Sequence, residues 1–415
     1  MGKWVKDGFD SVVRDDTHNG TKIPAVEYMR SGACPIIDQG QDFIAGYSDD
    51  ITAAYQNLPA IVFGDHTRVL KFANFPFLLG ADGAKILQPT TDKLDCQYLF
   101  YYLLQNPVPS TGYNRHFSWL KRMSVVYPVS LDEQRHIAEI LTTCDEVIEK
   151  SEAVVEKYRA IKAGMLKDLF TRGIGKNGKL RPPPESAPQL YKDTALGKVP
   201  REWAVKSFDS AFELHGNNTL SRAFLTNQNG AVRNVHYGDV LIKYDTILDC
   251  NDKPLPSVID EGVRQAGNDY LQNGDLVFAD TAEDDTVGKA VELYNVGDRK
   301  IVSGLHTIFA RPKEDGFASR WLGYYVNSDS FHNQLLPFIV GSKVSSVSRT
   351  NIKRTLVVIP ESDEQQRIAE RLSAIDAKIA DELAVIAKYR KVKAGLMARL
   401  LTPPPDAEIV DGGVE

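Results

Sequence analysis

The sequence predicts an α+β chain of two pseudo-repeated globular domains, each followed by a long helix, with the two helices pairing as an antiparallel coiled coil. Three observations carry that expectation. A segment of about 40 residues occurs twice, its apolar side chains fall at coiled-coil spacing, and the stretches before each copy match at their ends but not in their interiors. With 415 residues, 43% hydrophobic and 25% charged, the chain has material for two or three packed domains and is too apolar to be disordered.

The first domain is expected over residues 1–130. It opens on Trp4 and Phe9-Asp10-Ser11, carries a helix-like Phe100-Tyr101-Tyr102, and closes on Lys121-Arg122, Val125-Val126 and Pro128. The second, residues 196–360, has Trp203, Phe208-Asp209-Ser210, Tyr324-Tyr325, Lys353-Arg354, Val357-Val358 and Pro360 in the same order. Short apolar runs such as Asp239-Val240-Leu241-Ile242 and Asp275-Leu276-Val277-Phe278, between turn residues, predict strands inside these frames.

Helices are expected over 131–172 and 361–402. Each starts after a capping-type serine, Ser130 or Ser362, has an acidic first turn and contains no proline. Asp132-Glu133-Gln134 and Ile137-Ala138-Glu139 return as Asp363-Glu364-Gln365 and Ile368-Ala369-Glu370, and Lys157-Tyr158-Arg159 returns as Lys388-Tyr389-Arg390. Apolar residues alternate at steps of four and three: Ile137, Leu141, Cys144, Ile148, Val155, Tyr158, Met165 and Leu169 in the first copy. Polar residues interrupt the register at matching places, Ser151 and Lys162 against Glu382 and Lys393. A second apolar stripe, Val154, Ile161 and Leu166 with Val385, Val392 and Met397, is left over by a helix pair and is expected to dock partner helices. The proline-rich stretch 173–195 reads as a semi-rigid linker, and 403–415 as a disordered acidic tail.

Four widely separated cysteines offer no zinc or disulfide spacing, and neither a signal peptide nor a membrane-length apolar run occurs, so a cytoplasmic location is expected. No dinucleotide-binding, phosphate-loop, nucleophile-elbow or zinc-protease motif is found, and no metal or cofactor is expected on this chain. Glu133 and His136 have di-iron ligand spacing, but Arg367 stands at the repeat position of His136. Asn74-Phe75-Pro76-Phe77 reads as a turn with buried aromatics, and His306 as a structural hydrogen-bonding residue.

A net charge of -6 excludes a polybasic binder without excluding a local reading surface. Three acid-free polar stretches suit phosphates and base edges. One holds Lys343, Ser346 and Arg349, a second Asn114 and Arg115, and a third Asn217, Asn218, Ser221, Arg222, Arg233 and Asn234. In the first domain, Arg14, Lys22, Gln39, Gln41 and Arg68 are added from residue type and loop context.

The paired Asp-Glu-Gln-x-x-Ile-Ala-Glu helix starts, the Lys-Tyr-Arg and Lys-Ala-Gly helix endings, Leu196-Gly197-Lys198-Val199-Pro200 before Trp203, and Gly304-Leu305-His306-Thr307-Ile308 carry a resemblance. The chain resembles the DNA specificity subunits of type I restriction-modification enzymes, and departs from them in having no Leu-Gly-x-Val-Pro before Trp4. The resemblance implies two variable target-recognition domains, each reading half of a split site on double-stranded DNA, separated by two conserved helices that set the gap. It further implies a non-catalytic chain. Two methyltransferase subunits that use S-adenosylmethionine would dock on it, with restriction subunits that use ATP and Mg and no membrane partner. The alternative left by the residues is a coiled-coil scaffold or assembly protein that binds no DNA.

Overall fold

A computed structural model of the protein describes residues 2–81, 83–112, 114–340 and 344–412. The chain forms two compact units, Met1–Val154 with Glu382–Glu415, and Val155–Asp381. The expected boundaries ran from domain to helix. Instead each unit holds one globular domain together with a stretch of both long helices, Leu131–Thr171 and Ser362–Leu400.

In the first unit, a four-stranded sheet orders Val13–Asp15, Ala84–Pro89, Ala60–Gly64 and Leu70–Ala73, and a second orders Lys22–Ile23, Leu78–Gly80, Cys34–Ile37 and Gly46–Ser48. Ala60-Ile61-Val62-Phe63-Gly64 is a continuous apolar run because both its faces are covered, and every residue in it is buried. The second unit repeats the plan with five strands around Leu276–Ala279, all buried, and a four-stranded companion of Leu225–Thr226, Ser257–Val258, Arg233–Val235 and Ile301–Ser303.

The repeated glutamine of Asp-Glu-Gln ties each helix start to its own domain. Gln134 is fully buried; its amide donates to the carbonyls of Lys93 and Pro128, both at 2.8 Å, and its oxygen accepts from Asp95 N at 2.8 Å. Gln365 does the same with Gly316 O, Pro360 O and Ala318 N, at 3.1, 2.9 and 2.9 Å. All three bonding sites of each buried amide used here are satisfied, so each helix leaves its domain at a fixed angle.

Two of the four polar interruptions of the apolar seam, Lys162 and Lys393, form ion pairs. In the first unit Lys393 meets Asp145, whose other oxygen accepts from Tyr101 Oη at 2.8 Å, and Lys393 lies over the Tyr101 ring at 5.1 Å. In the second, Lys162 meets Asp376, Tyr324 Oη donates to Asp376 at 2.7 Å, and Lys162 lies over the Tyr324 ring at 5.5 Å. Within the first unit the contacts Asp145 with Lys393 and Glu152 with Arg390 run in opposite chain directions, as do Lys162 with Asp376 and Tyr158 with Lys378 within the second.

Three stretches differ from expectation. Asp239-Val240-Leu241-Ile242, expected as a strand, lies in the helix Tyr237–Ile242. The predicted linker is packed into the second unit: Arg181 is buried and grips Glu364 through both terminal nitrogens, with Nη2 to Oε2 at 2.9 Å. Trp203 Nε1 and the Ile174 amide add bonds to the same carboxylate at 3.1 and 2.7 Å. Gly173 beside them has φ +64°, and a Cβ there would fall 2.2 Å from Glu364 Oε1, so only glycine fits. Composition predicts a soluble linker because it carries no information about a buried carboxylate 190 residues away. The predicted disordered tail forms a strand, Glu408–Asp411, parallel to Lys3–Gly8, with Lys3 Nζ 3.3 Å from Glu408. Ser362 lies inside its helix, and Glu361 supplies the carbonyl that starts it.

Because Glu364 is buried among donors whereas its repeat partner Glu133 is exposed, Glu364→Ala is expected to cost about 3 kcal/mol or more. Glu133→Ala should stay within about 0.5 kcal/mol. Urea denaturation of the full chain checks the difference, and equal losses would remove Arg181 and Glu364 from the stabilising core.

Candidate nucleic-acid interface

In the second unit the predicted polar residues converge on one rim. The strand Phe212–His215 ends in a loop whose Asn217 Nδ2 donates to Gly304 O at 3.2 Å, and Arg349 reaches back from the start of a short helix to His215 O at 2.5 Å. Ser346 is exposed on a strand paired with Thr281, and Val347 N donates to Asp280 O at 2.9 Å. His306, at φ +53°, places its ring 5.3 Å from that of Tyr237 and its Nδ1 3.4 Å from Asp280. Segments 215–222, 236–239, 280–281, 304–306 and 346–349 thus form a continuous lip.

Arg222 is the best-prepared reader on that lip. Its side chain is 49% exposed, yet Nη1 is held by the fully buried carboxylate of Asp239 at 2.7 Å and Nη2 lies 3.3 Å from His236 Nδ1. Lys243 shares the same carboxylate at 2.8 Å. Burial raises and the two cations more than reverse the Asp239 pKa, holding it below the ordinary carboxylate value. Burial, followed by the Arg222 guanidinium, pushes His236 down to about 4. His236 Nδ1 accepts from Gly238 N at 3.2 Å, so the ring is neutral at physiological pH and its remaining nitrogen carries the proton. A planar guanidinium fixed by a carboxylate, with N–H groups left over, suits bidentate hydrogen bonding to a base edge or phosphate.

Other predicted readers have structural duties. Asn218 is buried and bonds Ser303 O and Leu220 N, and Asn234, fully buried, donates to Asn218. A Cβ on Gly304 would come 2.3 Å from Asn234 Oδ1, so this pair shapes the turn that carries His306. Arg233 is used by Ser257, Leu255 O and Asn229. Ser221 is exposed at the start of a short turn of helix, and Lys343 lies outside the described residues.

The first unit's predicted residues are more scattered. Gln39 binds the 64–67 turn, through His66 N and Thr67 Oγ1 at 3.3 and 2.6 Å. Arg68, at φ +63°, braces Val108 O, and Arg14 pairs with Asp16 at 3.3 Å. Gln41 and Arg115 are exposed, and Asn114 folds onto Thr111. Buried His116 and Asp65 anchor the chain immediately after Arg115: His116 N donates to Asp65 O, and Phe117 N to Asp65 Oδ1 at 2.7 Å. Lys22 lines an open depression of about 590 Å³ with Thr17, His18 and Lys85. Sequence reading missed Lys85, Trp119 and Asp239. Lys85 and Lys121 flank the Phe117 ring, each at 5.2 Å, and Arg122 covers the exposed Trp119. The aromatics Phe117 and Trp119 followed by Lys121-Arg122 were a usable signal; Asp239 was read only as the start of an apolar run.

On the long helices, Ile161 and Val392 are exposed at 39% and 42%, while Val154 and Val385 are half-buried. Leu166 and Met397 depart from the predicted docking stripe, since each packs against the core of its own unit. Among the described residues no cluster of His, Cys, Asp or Glu is placed to hold a metal ion, and no helix is long and apolar enough to cross a membrane.

The type I restriction modification DNA specificity domain matches residues 200–387. The MjaVIII type I restriction enzyme specificity subunit of Methanocaldococcus jannaschii is 23% identical over 322 residues, 74% of this chain and 70% of that protein. The EcoR124I/EcoR124II specificity subunit of Escherichia coli is 30% identical over 91 residues, 21% of this chain and 22% of that one. The crystal structure of a type I restriction-modification S subunit from M. genitalium shares the fold, with a TM-score of 0.62 at 14% identity over 97% of both chains.

Arg222→Ala is expected to weaken binding to the cognate DNA about tenfold or more at temperatures where the variant is fully folded, and to lower the melting temperature as well by leaving buried Asp239 with Lys243 alone, whereas Asn234→Ala should lower stability with little direct effect on binding. Fluorescence anisotropy beside thermal melts checks both. For His236 the pKa is about 4 folded against 6.5 free, so the unfolded chain binds the extra proton between these values. Stability is lost as pH falls through that window. The loss should be smaller in His236→Asn, measured by denaturation at pH 4 to 7.

Proposed function

We propose that this chain is a DNA specificity subunit of the type I restriction-modification class, each globular half reading one block of a split sequence on double-stranded DNA. The carrying observation is a duplicated frame around unlike interiors. The glutamine bracket, the tyrosine-covered Asp and Lys pair and the flanking strand pair occur in both units. The exposed polar residues do not repeat: Arg222, His306 and Arg349 in one, Lys22, Gln41 and Arg115 in the other. Two different half-sites require such divergence, and phosphate contacts from basic loops supply register on the duplex.

In this reading the long helices pair as an antiparallel coiled coil whose length sets the unread gap. The opposed contacts within each unit support it. Val392 with Val154 and Val385 in the first unit, and Ile161 in the second, supply apolar surface for the helices of two methyltransferase subunits. S-adenosylmethionine belongs on those subunits, and ATP and Mg on the restriction subunits. This chain's own residues bind and orient, in the cytoplasm. Its net charge of -6 is compatible with DNA binding because the rim acid Asp239 is fully buried under Arg222 and Lys243, which leaves the exposed cations Arg222 and Arg349 on the surface.

Mapping methylated adenines in cells with and without the gene is expected to show the loss of one motif, two short specified blocks around a fixed gap. Insertion of one helical turn into both long helices should change the gap and leave both blocks intact. An unchanged map in an active system, together with salt-independent association of the purified complex with DNA, would favour the scaffold reading instead.

A further inference from the structure

The pseudo-repeat leaves one sheet edge filled in the first unit and open in the second. Lys3–Gly8 pairs with Ser124–Pro128 on one side and with the tail strand Glu408–Asp411 on the other, where Gly412 N donates to Lys6 O at 3.0 Å. Its counterpart Ala204–Ser207 pairs with Leu356–Ile359 and, among the described residues, with no strand on its other side. The registers agree, since Phe9 N donates to Met123 O and Phe208 N to Thr355 O, at 2.9 and 2.8 Å. Val205 therefore stands where Lys6 does, and the alternation of an antiparallel ladder turns its N–H and C=O to the open side.

The surroundings of that edge specify charge. A groove of about 280 Å³ runs beside it, floored by Ala211, Phe317 and Ile359 and ringed by Glu202, Glu314, Asp315 and Glu361. Lys206 is the base lining it, already 3.3 Å from Glu314. The filled edge has the opposite polarity, with Lys3 and Lys6 in register with Glu408 and Asp411. This chain's own acidic tail thus suits the first edge and is repelled by the second, which rules against the tail of a second copy as occupant.

We propose that Ala204–Ser207 is a docking edge for an extended segment of a methyltransferase subunit, one that alternates apolar residues with lysine or arginine and adds as a strand. This rests on the assembly reading above. The test compares hydrogen exchange in the full chain alone and co-purified with the methyltransferase subunits of its own system. Peptides covering 203–208 are expected to exchange about tenfold more slowly in the complex. Val205→Pro removes the outward N–H and leaves the ladder to Leu356–Ile359 intact, so it should abolish that protection and weaken assembly about tenfold. The surface pair Glu314→Lys and Glu361→Lys should do likewise. Unchanged exchange at 203–208 in a complex that does form would overturn the docking edge alone; failure of any complex to form would overturn the assembly reading and this one with it.

Discussion

Two lysine and aspartate pairs, each covered by a tyrosine, fix which turn of one long helix faces which turn of the other. An apolar seam is nearly indifferent to a slip of one heptad, since leucine meets isoleucine or valine in every register. A partly buried Lys393 or Lys162 is not indifferent, because a slip strands its charge against apolar neighbours while leaving Asp145 or Asp376 without its cation. These pairs add specificity more than stability. The glutamine brackets tie each helix start to its own domain through a buried amide.

The rest of each domain is then free to vary. Strands around Ala60–Gly64 and Leu276–Ala279 need only remain apolar and sheet-forming, and the loops at their ends are held by backbone bonds and a few buried side chains such as Asp65 with His116 or Asn218 with Asn234. Such an arrangement separates two tasks chemically. Buried amides and carboxylates position the lip, while guanidinium, amide and hydroxyl groups are presented on its exposed side. Arg222 joins the two, with one face on buried Asp239 and the remainder open.

Much of the frame was legible in the sequence. The Asp-Glu-Gln repeat located both helix starts, and the matching of Trp4 with Trp203 and Val125-Val126 with Val357-Val358 located the flanking strand pairs. The polar breaks at Lys162 and Lys393 were visible too, though only the fold revealed their partners. Site residues were less legible. Asn218, Asn234, Arg233 and Gln39 have the side-chain chemistry of base readers, and the same donors and acceptors serve equally well to satisfy buried backbone.

What the sequence determined by itself is therefore the part written along one helix or one strand: the duplication, the helical period, the polar breaks and the absence of catalytic motifs. Local periodicity survives in one dimension because each turn contacts the next. Tertiary structure alone decided that Arg181 closes on Glu364, that the tail becomes a strand beside Lys3–Gly8, and that Asp239 holds the Arg222 guanidinium in place. Each of these depends on desolvating a charge or a backbone edge against a partner distant in sequence, and desolvation is a property of the enclosed space, which no single segment encodes.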